Sequence, residues 1–311
     1  MAAGILHDRE LIWFKGYSVA DLAAQTPVTQ NTPFHLASLT KTFTSTLILQ
    51  RVEQERLDLD TPASEFGIKL DGPGIITVRH LFSHTSAGIP GTHYCYDGSR
   101  FAQLDRVITS VTGCGFKDHL KAVILEPLRL QNTGQLGDRL RTQLASPYQP
   151  DPSGNLVAAA YPTYYGTAAG MVSSVFDYAS YLIASQEHRF LKPETQALAF
   201  TPSRSNKGRL LPYGLGWFVE TLRGTRVIWH YGHWDAVSAL VLMVPERDVT
   251  FLVLANTDAL SRGFDLGDGR IVRSPPGYIF LKHFVPEALP GNPLSRLWQV
   301  IQGRLERTRG A

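Results

Sequence analysis

A serine and a lysine three residues apart, Ser38 and Lys41, are the side chains whose types and spacing most favour covalent catalysis. Apolar residues recur at helical spacing over residues 39–52, so both side chains lie in the first turn of a predicted helix, on one side of it. Lys41 is the only formally charged residue between positions 21 and 51, which predicts apolar surroundings. A desolvated lysine loses part of its preference for the protonated form and can act as a base. The pair therefore indicates a serine nucleophile activated by a lysine.

An ordinary helix N-cap is the structural alternative for Ser38, because serine is among the preferred capping residues. A capping box, however, places Glu or Gln three residues after the cap, and the helix dipole favours acidic residues in the first turn. The third residue here is a lysine. This departure favours a nucleophile over a cap, although S-x-x-K alone arises easily by chance.

Composition excludes several classes of function. The chain has 311 residues, of which 43% are hydrophobic, enough for one large domain or two lobes. The net charge of +3 comes without a run of like charges, so nothing indicates nucleic acid binding. Cys95 and Cys114 form no disulfide framework, and His80 and His84 lack carboxylates or cysteines at metal-ligand spacing. We therefore expect no metal and no cofactor.

The N-terminal residues give no secretory signal, because charges interrupt the apolar residues within the first ten positions. No apolar run is long enough to span a membrane. The expected location is the cytoplasm, unless a leader has been removed. Whether the N-terminus is truncated is left open.

The elements that must position Ser38 and Lys41 alternate in type along the chain. A hairpin is predicted over residues 5–14, and strand-like segments over 213–220, 226–230, 237–244 and 249–255. Helices are predicted over 101–111, 116–124, 175–186, 278–284 and 294–305, with a stop at 126–127 and a long surface loop over 146–155. This order predicts an α+β fold, with an antiparallel β-sheet flanked by helices and an inserted mostly helical lobe.

We expect a single catalytic domain of two lobes over residues 1–311. The α/β lobe would comprise about residues 1–55 and 165–311, and the helical lobe about residues 56–164.

Several short segments downstream and upstream of the helix occur in a definite order. They are TPFHLASLTK at 32–41, HLFSHTSAG at 80–88, PGTHYCYDG at 90–98, EPL at 126–128, AGMVSSVFD at 169–177, YGLGW at 213–217 and HYG at 230–232.

This ordered set resembles the class C β-lactamase and family VIII carboxylesterase group of the penicillin-binding-protein-like superfamily, which also includes D-aminopeptidases and DD-peptidases. The similarity extends over residues 11–255. The ordered set of segments is specific for this group, although no single segment is. The resemblance implies a β-lactamase/transpeptidase-like fold and a serine hydrolase.

The resemblance also implies catalytic roles. Ser38 would attack the acyl carbon, and Lys41 would help to remove its proton and hold the charge of the site. Tyr96 would pass the proton to the leaving group, as general base and then general acid. Tyr94 is the rival tyrosine; Tyr96 is preferred because it sets Phe101 in the register of the group.

His230 and Gly232 of the HYG segment, together with His233 directly after it, complete the implied site. His230 would line the site beside Lys41 and Tyr96, and Gly232 would allow the substrate to approach the strand closely. The backbone N–H groups of Ser38 and His233 would form the oxyanion hole. The structural alternative for His230 is a strand histidine whose hydrogen bonds are satisfied internally, and His80 and His84 are expected to be structural.

Two departures from the group bear on the substrate. Gly98 stands where the group often has an asparagine that binds the substrate's side-chain amide in β-lactamases. The region between Gly88 and Tyr96 is short, and the usual helix before the first hairpin is missing, which suggests an open pocket.

These features predict a carboxylesterase that works through an acyl-enzyme on Ser38. The alternatives are a β-lactamase or D-amino-acid peptidase or amidase, and an inactive scaffold relative of the fold. The expected partner is a small ester, amide or β-lactam, with no nucleic acid and no membrane. Self-association stays open, since the amphipathic C-terminal segment could mediate it or pack on its own sheet.

Overall fold

The structure is a computed structural model that describes residues 1–290. The C-terminal helix predicted over 294–305 lies outside the described residues. No helix within residues 1–290 is both long and apolar enough to cross a bilayer.

The described chain combines strands and helices in the predicted α+β order. The strands are β1 (Ala2–His7), β2 (Glu10–Gly16), β3 (Val19–Asp21), β4 (Thr26–Pro27), β5 (Phe34–His35), β6 (Gly134–Gln135), β7 (Tyr148–Pro150), β8 (Leu156–Ala158), β9 (Met171–Ser173), β10 (Phe218–Leu222), β11 (Thr225–Trp234), β12 (Val237–Val244) and β13 (Val249–Ala255). The helices are α1 (Thr40–Glu53), α2 (Val78–Phe82), α3 (Gly98–Phe101), α4 (Leu104–Thr112), α5 (Phe116–Leu120), α6 (Glu126–Leu128), α7 (Asp138–Arg141), α8 (Val175–Gln186), α9 (Pro193–Ala199) and α10 (Pro275–Phe284).

A six-stranded antiparallel sheet carries the fold, in the order β10-β11-β12-β13-β1-β2. The predicted N-terminal hairpin is β1–β2, and β1 pairs with β13, which joins the two ends of the described chain in one sheet. A small sheet of β5, β9 and β6 lies where the chain enters α1. These features confirm the predicted fold class, whereas the division into two lobes stays a prediction.

The sheet is covered on both faces. Leu6, Val241 and Leu252 share a core with α1 and α8 on one face. Trp229 and Leu242 share the other core with α10. Because both faces are buried, β12 is apolar along most of its length and buried at every position.

The spacing of apolar residues in helix α1 predicts one buried face. The structure instead buries the helix on all sides. Every residue over 40–49 is buried. Its polar side chains are satisfied inside the protein: Thr42 Oγ1 lies 2.8 Å from the hydroxyl of Tyr178, and Thr46 Oγ1 lies 2.8 Å from that of Tyr181. A helix with this environment belongs to the centre of a domain.

Three local predictions are corrected by the structure. The strand predicted from residue 213 begins at Phe218, because Gly216 has φ +86° and breaks the extended chain. The helix predicted over 101–111 is α4, which begins only at Leu104, after the separate short helix α3 has ended at Phe101. The loop predicted over 146–155 contains β7, which pairs with β8 in a short hairpin.

The helix predicted to stop at 126–127 instead continues to Leu128. A π-helical turn, Lys121–Leu125, joins α5 to α6 directly before Pro127. Proline removes a backbone donor and its ring collides with the preceding turn of a regular α-helix, so a wider turn at this point lets the helix pass the proline.

Candidate active site

Ser38 lies in a strained turn between β5 and α1. A 3-10 turn, Ala37–Leu39, precedes the helix, and Ala37 has φ +45°, a conformation that is uncommon outside glycine. Ser38 is half-buried, whereas its neighbours on both sides are buried. The Ser38 side chain makes no N-cap hydrogen bond to α1. The turn therefore presents the serine hydroxyl from an otherwise enclosed segment.

Strand β11 holds this turn from the opposite side. A Cβ atom on Gly232 would lie 2.1 Å from the carbonyl oxygen of Leu36, so only glycine permits this approach. The expected reason for Gly232 was close approach of the substrate. The structure instead shows the space beside Gly232 filled by the backbone that leads to Ser38.

Lys41 is the buried cationic side chain of the site, with 0% of its surface exposed. Its Nζ lies 2.9 Å from Ser38 Oγ and 2.8 Å from the carbonyl oxygen of Ala168. The same nitrogen lies 5.2 Å from the centre of the Tyr96 ring and 5.1 Å from that of Phe101. Desolvation lowers the pKa of Lys41 to about 7, against a smaller opposing effect of Asp97.

The two rival tyrosines differ in what their hydroxyls contact. The Tyr94 hydroxyl donates to the carbonyl oxygen of Gly267 at 2.9 Å. The Tyr96 hydroxyl is buried and has no hydrogen bond of normal geometry within residues 1–290. Burial raises the pKa of Tyr96 well above its usual value, and the nearby Ser38 hydroxyl lowers it only in part. The Tyr96 hydroxyl is thus the one left available beside the serine.

His230 is fully buried on β11, and both of its ring nitrogens have protein partners. Nδ1 lies 2.7 Å from the carbonyl oxygen of Tyr231, to which it must donate, and Nε2 lies 2.9 Å from the Tyr213 hydroxyl. Burial and the neighbouring Lys41 lower the pKa of His230 well below its usual value. The ring is therefore a neutral, internally bonded group, which matches the structural alternative given for it.

The edge of β11 is open beside the turn that carries Ser38. Strand β10 pairs only as far as Trp229, while β12 pairs with β11 through Trp234. Within residues 1–290, positions 230–234 thus have a strand partner on one side only. The His233 ring contacts Ser261, with Nδ1 2.9 Å from Oγ. The oxyanion role of the Ser38 and His233 backbone N–H groups stays a prediction.

Residues 256–270 run past this open edge. Ser261 contacts His233 at one end, and the Gly267 carbonyl accepts from Tyr94 at the other. A cavity of about 690 Å³ lies between this segment and the tyrosines, lined by both Tyr96 and Tyr231. Ser38 and Lys41 are not among the residues that line this cavity, so it adjoins the candidate site through Tyr96 and does not contain the nucleophile.

Sequence reasoning missed three contributors to the site: Ala168, Phe101 and Tyr213. Tyr213 lies in a segment identified only by its place in the order, Ala168 lies just before another such segment, and the contacts of both depend on long-range packing. The two histidines of the 80–88 segment differ in their contacts, since His80 Nδ1 accepts from the Thr77 N–H at the start of α2, whereas His84 packs against Tyr96.

Comparisons with known proteins identify the family and the fold. The Beta-lactamase family model matches residues 1–272. Penicillin-binding protein 4* of Bacillus subtilis is 22% identical over 307 aligned residues, which cover 80% of this chain and 66% of that protein. This chain thus spans slightly less than two thirds of that relative.

Solved structures show the same fold. The octameric penicillin-binding protein homologue from Pyrococcus abyssi superposes with a TM-score of 0.76 at 24% identity, covering 82% of this chain and 69% of that one. The D-amino acid amidase from Ochrobactrum anthropi gives 0.68 at 19% identity, covering 82% and 86%. Because the family model covers most of the sequence and the fold agrees, the chain belongs to the β-lactamase family of serine hydrolases.

Proposed function

We propose that this chain is a serine hydrolase that forms an acyl-enzyme on Ser38, with carboxylic esters as substrates. The contact that carries the proposal is the one between Lys41 Nζ and Ser38 Oγ, 2.9 Å apart, with the amine fully buried. A pKa of about 7 for Lys41 leaves a large fraction of neutral amine at physiological pH. A neutral amine at this distance can take the serine proton.

Acylation begins when Lys41 takes the proton of Ser38 and Oγ attacks the acyl carbon. The backbone N–H groups of Ser38 and His233 would bind the resulting oxyanion. As the bond to the leaving group breaks, the Tyr96 hydroxyl gives its proton to the departing oxygen and is reprotonated by the Lys41 ammonium. Water then attacks the acyl carbon and gives a proton to Lys41. The Tyr96 hydroxyl protonates Ser38 Oγ as the acyl bond breaks and is reprotonated by Lys41, which releases the acid and restores Ser38.

The raised pKa of Tyr96 argues against its expected role as the first general base. A tyrosine held in its neutral form can donate a proton but is a poor base before Lys41 acts. We therefore assign the first proton abstraction to Lys41 and the donation to Tyr96, rather than both to Tyr96.

Gly98 supports esters over β-lactams and amides. Gly98 has no side-chain amide to bind a substrate amide, and a Cβ at this position would meet no atom within 4 Å. The amidase and penicillin-binding relatives favour amides or β-lactams as the alternative substrates. An inactive scaffold is disfavoured by the intact Ser38–Lys41 contact, and the octameric homologue supports self-association as a further proposal.

The nucleophile is tested by intact-mass spectrometry after exposure to a fluorophosphonate and to short-chain p-nitrophenyl esters. One covalent adduct is expected on the unmodified chain and none on Ser38→Ala, because no other hydroxyl within residues 1–290 is hydrogen-bonded to a lysine amine. Ser99→Ala, an exposed serine on α3, serves as the matched control and should be labelled like the parent. An adduct that persists in Ser38→Ala would disprove the assignment.

The acylation rate is expected to rise with pH and to reach half its maximum near pH 7. Lys41 has a lowered pKa of about 7, so below that pH the amine is protonated and cannot take the Ser38 proton. Well below it the rate should fall about tenfold per pH unit, as for any single essential base. Single-turnover acylation between pH 5 and 9 measures this; a rise centred near pH 10, typical of an exposed lysine, contradicts it.

Tyr96→Phe is expected to slow acylation by alkyl esters about 100-fold or more, the usual effect of losing a general acid. Tyr94→Phe removes a hydroxyl of the same type that bonds only Gly267, and should change the rate by less than about tenfold. Stopped-flow or single-turnover rates on folded variants compare the two. Equal losses would show that neither hydroxyl is the proton donor.

Gly98→Asn is expected to shift the substrate preference towards β-lactams. The site has room for the new amide, so the variant should remain folded and gain nitrocefin turnover relative to ester turnover. Gly98→Ala fills part of the same space without an amide and is the matched control. An unchanged ratio of the two activities in Gly98→Asn would remove Gly98 as the reason for the ester preference.

A further inference from the structure

His84 contacts the chain on both sides of Tyr96 as well as Tyr96 itself. Its carbonyl oxygen accepts from the Cys95 N–H at 2.9 Å. Its ring stacks on the Tyr96 ring, with centres 4.3 Å apart and planes inclined by 29°. Its Nδ1 accepts from the Asp97 N–H at 3.1 Å. Three successive residues are thus held by one histidine.

The position of His84 carries two structural costs. Its backbone has φ +55°, a left-handed conformation that glycine would adopt without strain. Its Nε2 is buried and has no hydrogen-bond partner within residues 1–290, and a buried donor without a partner is destabilising. A glycine or an apolar residue would avoid one or both costs. The imidazole at this position therefore calls for a reason other than stability.

The hydrogen bonds define the form of the ring. Nδ1 accepts from a backbone N–H, so the ring proton of neutral His84 lies on Nε2. Burial, with Lys41 and His230 nearby, lowers the pKa of His84 well below its usual value, which favours this neutral form. Phe101 stacks on the ring at 5.2 Å, and Tyr213 meets it edge-on at 4.8 Å. The ring is enclosed by aromatic groups and has one orientation that keeps the Asp97 contact.

We propose that His84 is a positioning residue that holds the Tyr96 hydroxyl in place to protonate the leaving group. The Tyr96 hydroxyl has no hydrogen bond of normal geometry to fix it, so its direction is set by the ring stack and by the backbone at 95–97. His84 contributes to both: it is the nearest ring to Tyr96, closer than Phe218, which stacks on Tyr96 at 5.9 Å, and it holds the backbone at Cys95 and Asp97. This role rests on the proposed function, because it acts through Tyr96 and Ser38.

The experiment compares aryl esters, whose leaving groups need little protonation, with alkyl esters, whose leaving groups need it. His84→Asn keeps an acceptor for the Asp97 N–H and tolerates the left-handed backbone, whereas His84→Phe keeps the ring stack. Both variants are expected to lower alkyl-ester acylation about tenfold or more, through kcat rather than KM, and aryl-ester acylation much less. Combining either with Tyr96→Phe should give little further loss.

His80→Asn is the matched control, because His80 lies in the same segment but contacts Thr77. It should leave the ratio of aryl to alkyl rates unchanged. Folded His84 variants that slow both ester classes equally, or whose losses multiply with that of Tyr96→Phe, would overturn the proposal.

A measurement on the unmodified chain keeps the test independent of variant folding. The ¹⁵N shifts of the His84 ring at pH 7 should show a proton on Nε2 and none on Nδ1. The opposite tautomer would overturn the proposed positioning role. Failure of the wild-type chain to form any Ser38 adduct would instead overturn the proposed function, and the role of His84 with it.

Discussion

The burial of the Lys41 amine beside Ser38 is the constraint on which the site depends. An ammonium group without exposure to water is costly, and this one lies in the first turn of α1, where the helix dipole also disfavours a positive charge. Among residues 1–290, two acceptors lie within hydrogen-bond distance of the amine, Ser38 Oγ and the Ala168 carbonyl. These conditions favour the neutral amine, which is the form that can accept the serine proton.

The fold maintains that environment from several directions. Helix α1 is enclosed by α8 and the sheet, and tyrosines of α8 hydrogen-bond to Thr42 and Thr46, so the lysine cannot reach solvent without disrupting the core. Gly232 lets β11 pack directly on the backbone before Ser38. The aromatic rings of Tyr96 and Phe101 complete the surroundings of the amine. Stability and reactivity therefore depend on the same packing.

The sequence predicted what local patterns encode. The S-x-x-K spacing placed Ser38 and Lys41, and period-two or continuous apolar runs placed β12 and β13 within a residue. Contacts between distant segments could not be predicted from local patterns. No local feature of the sequence links Tyr213 to His230, or residues 256–270 to Tyr94. The helix through Pro127 was missed because a π-helical turn has no simple sequence signal.

The most direct test of the central claim is an NMR titration of Lys41 in the folded chain. With ¹⁵N-labelled lysine, the Lys41 signal is identified by its absence in Lys41→Arg and followed from pH 5 to 11. A titration midpoint near 7 is predicted, since burial lowers the pKa of Lys41 to about 7. A midpoint close to 10.4, the ordinary value for lysine, would contradict the activation of Ser38 by a neutral amine.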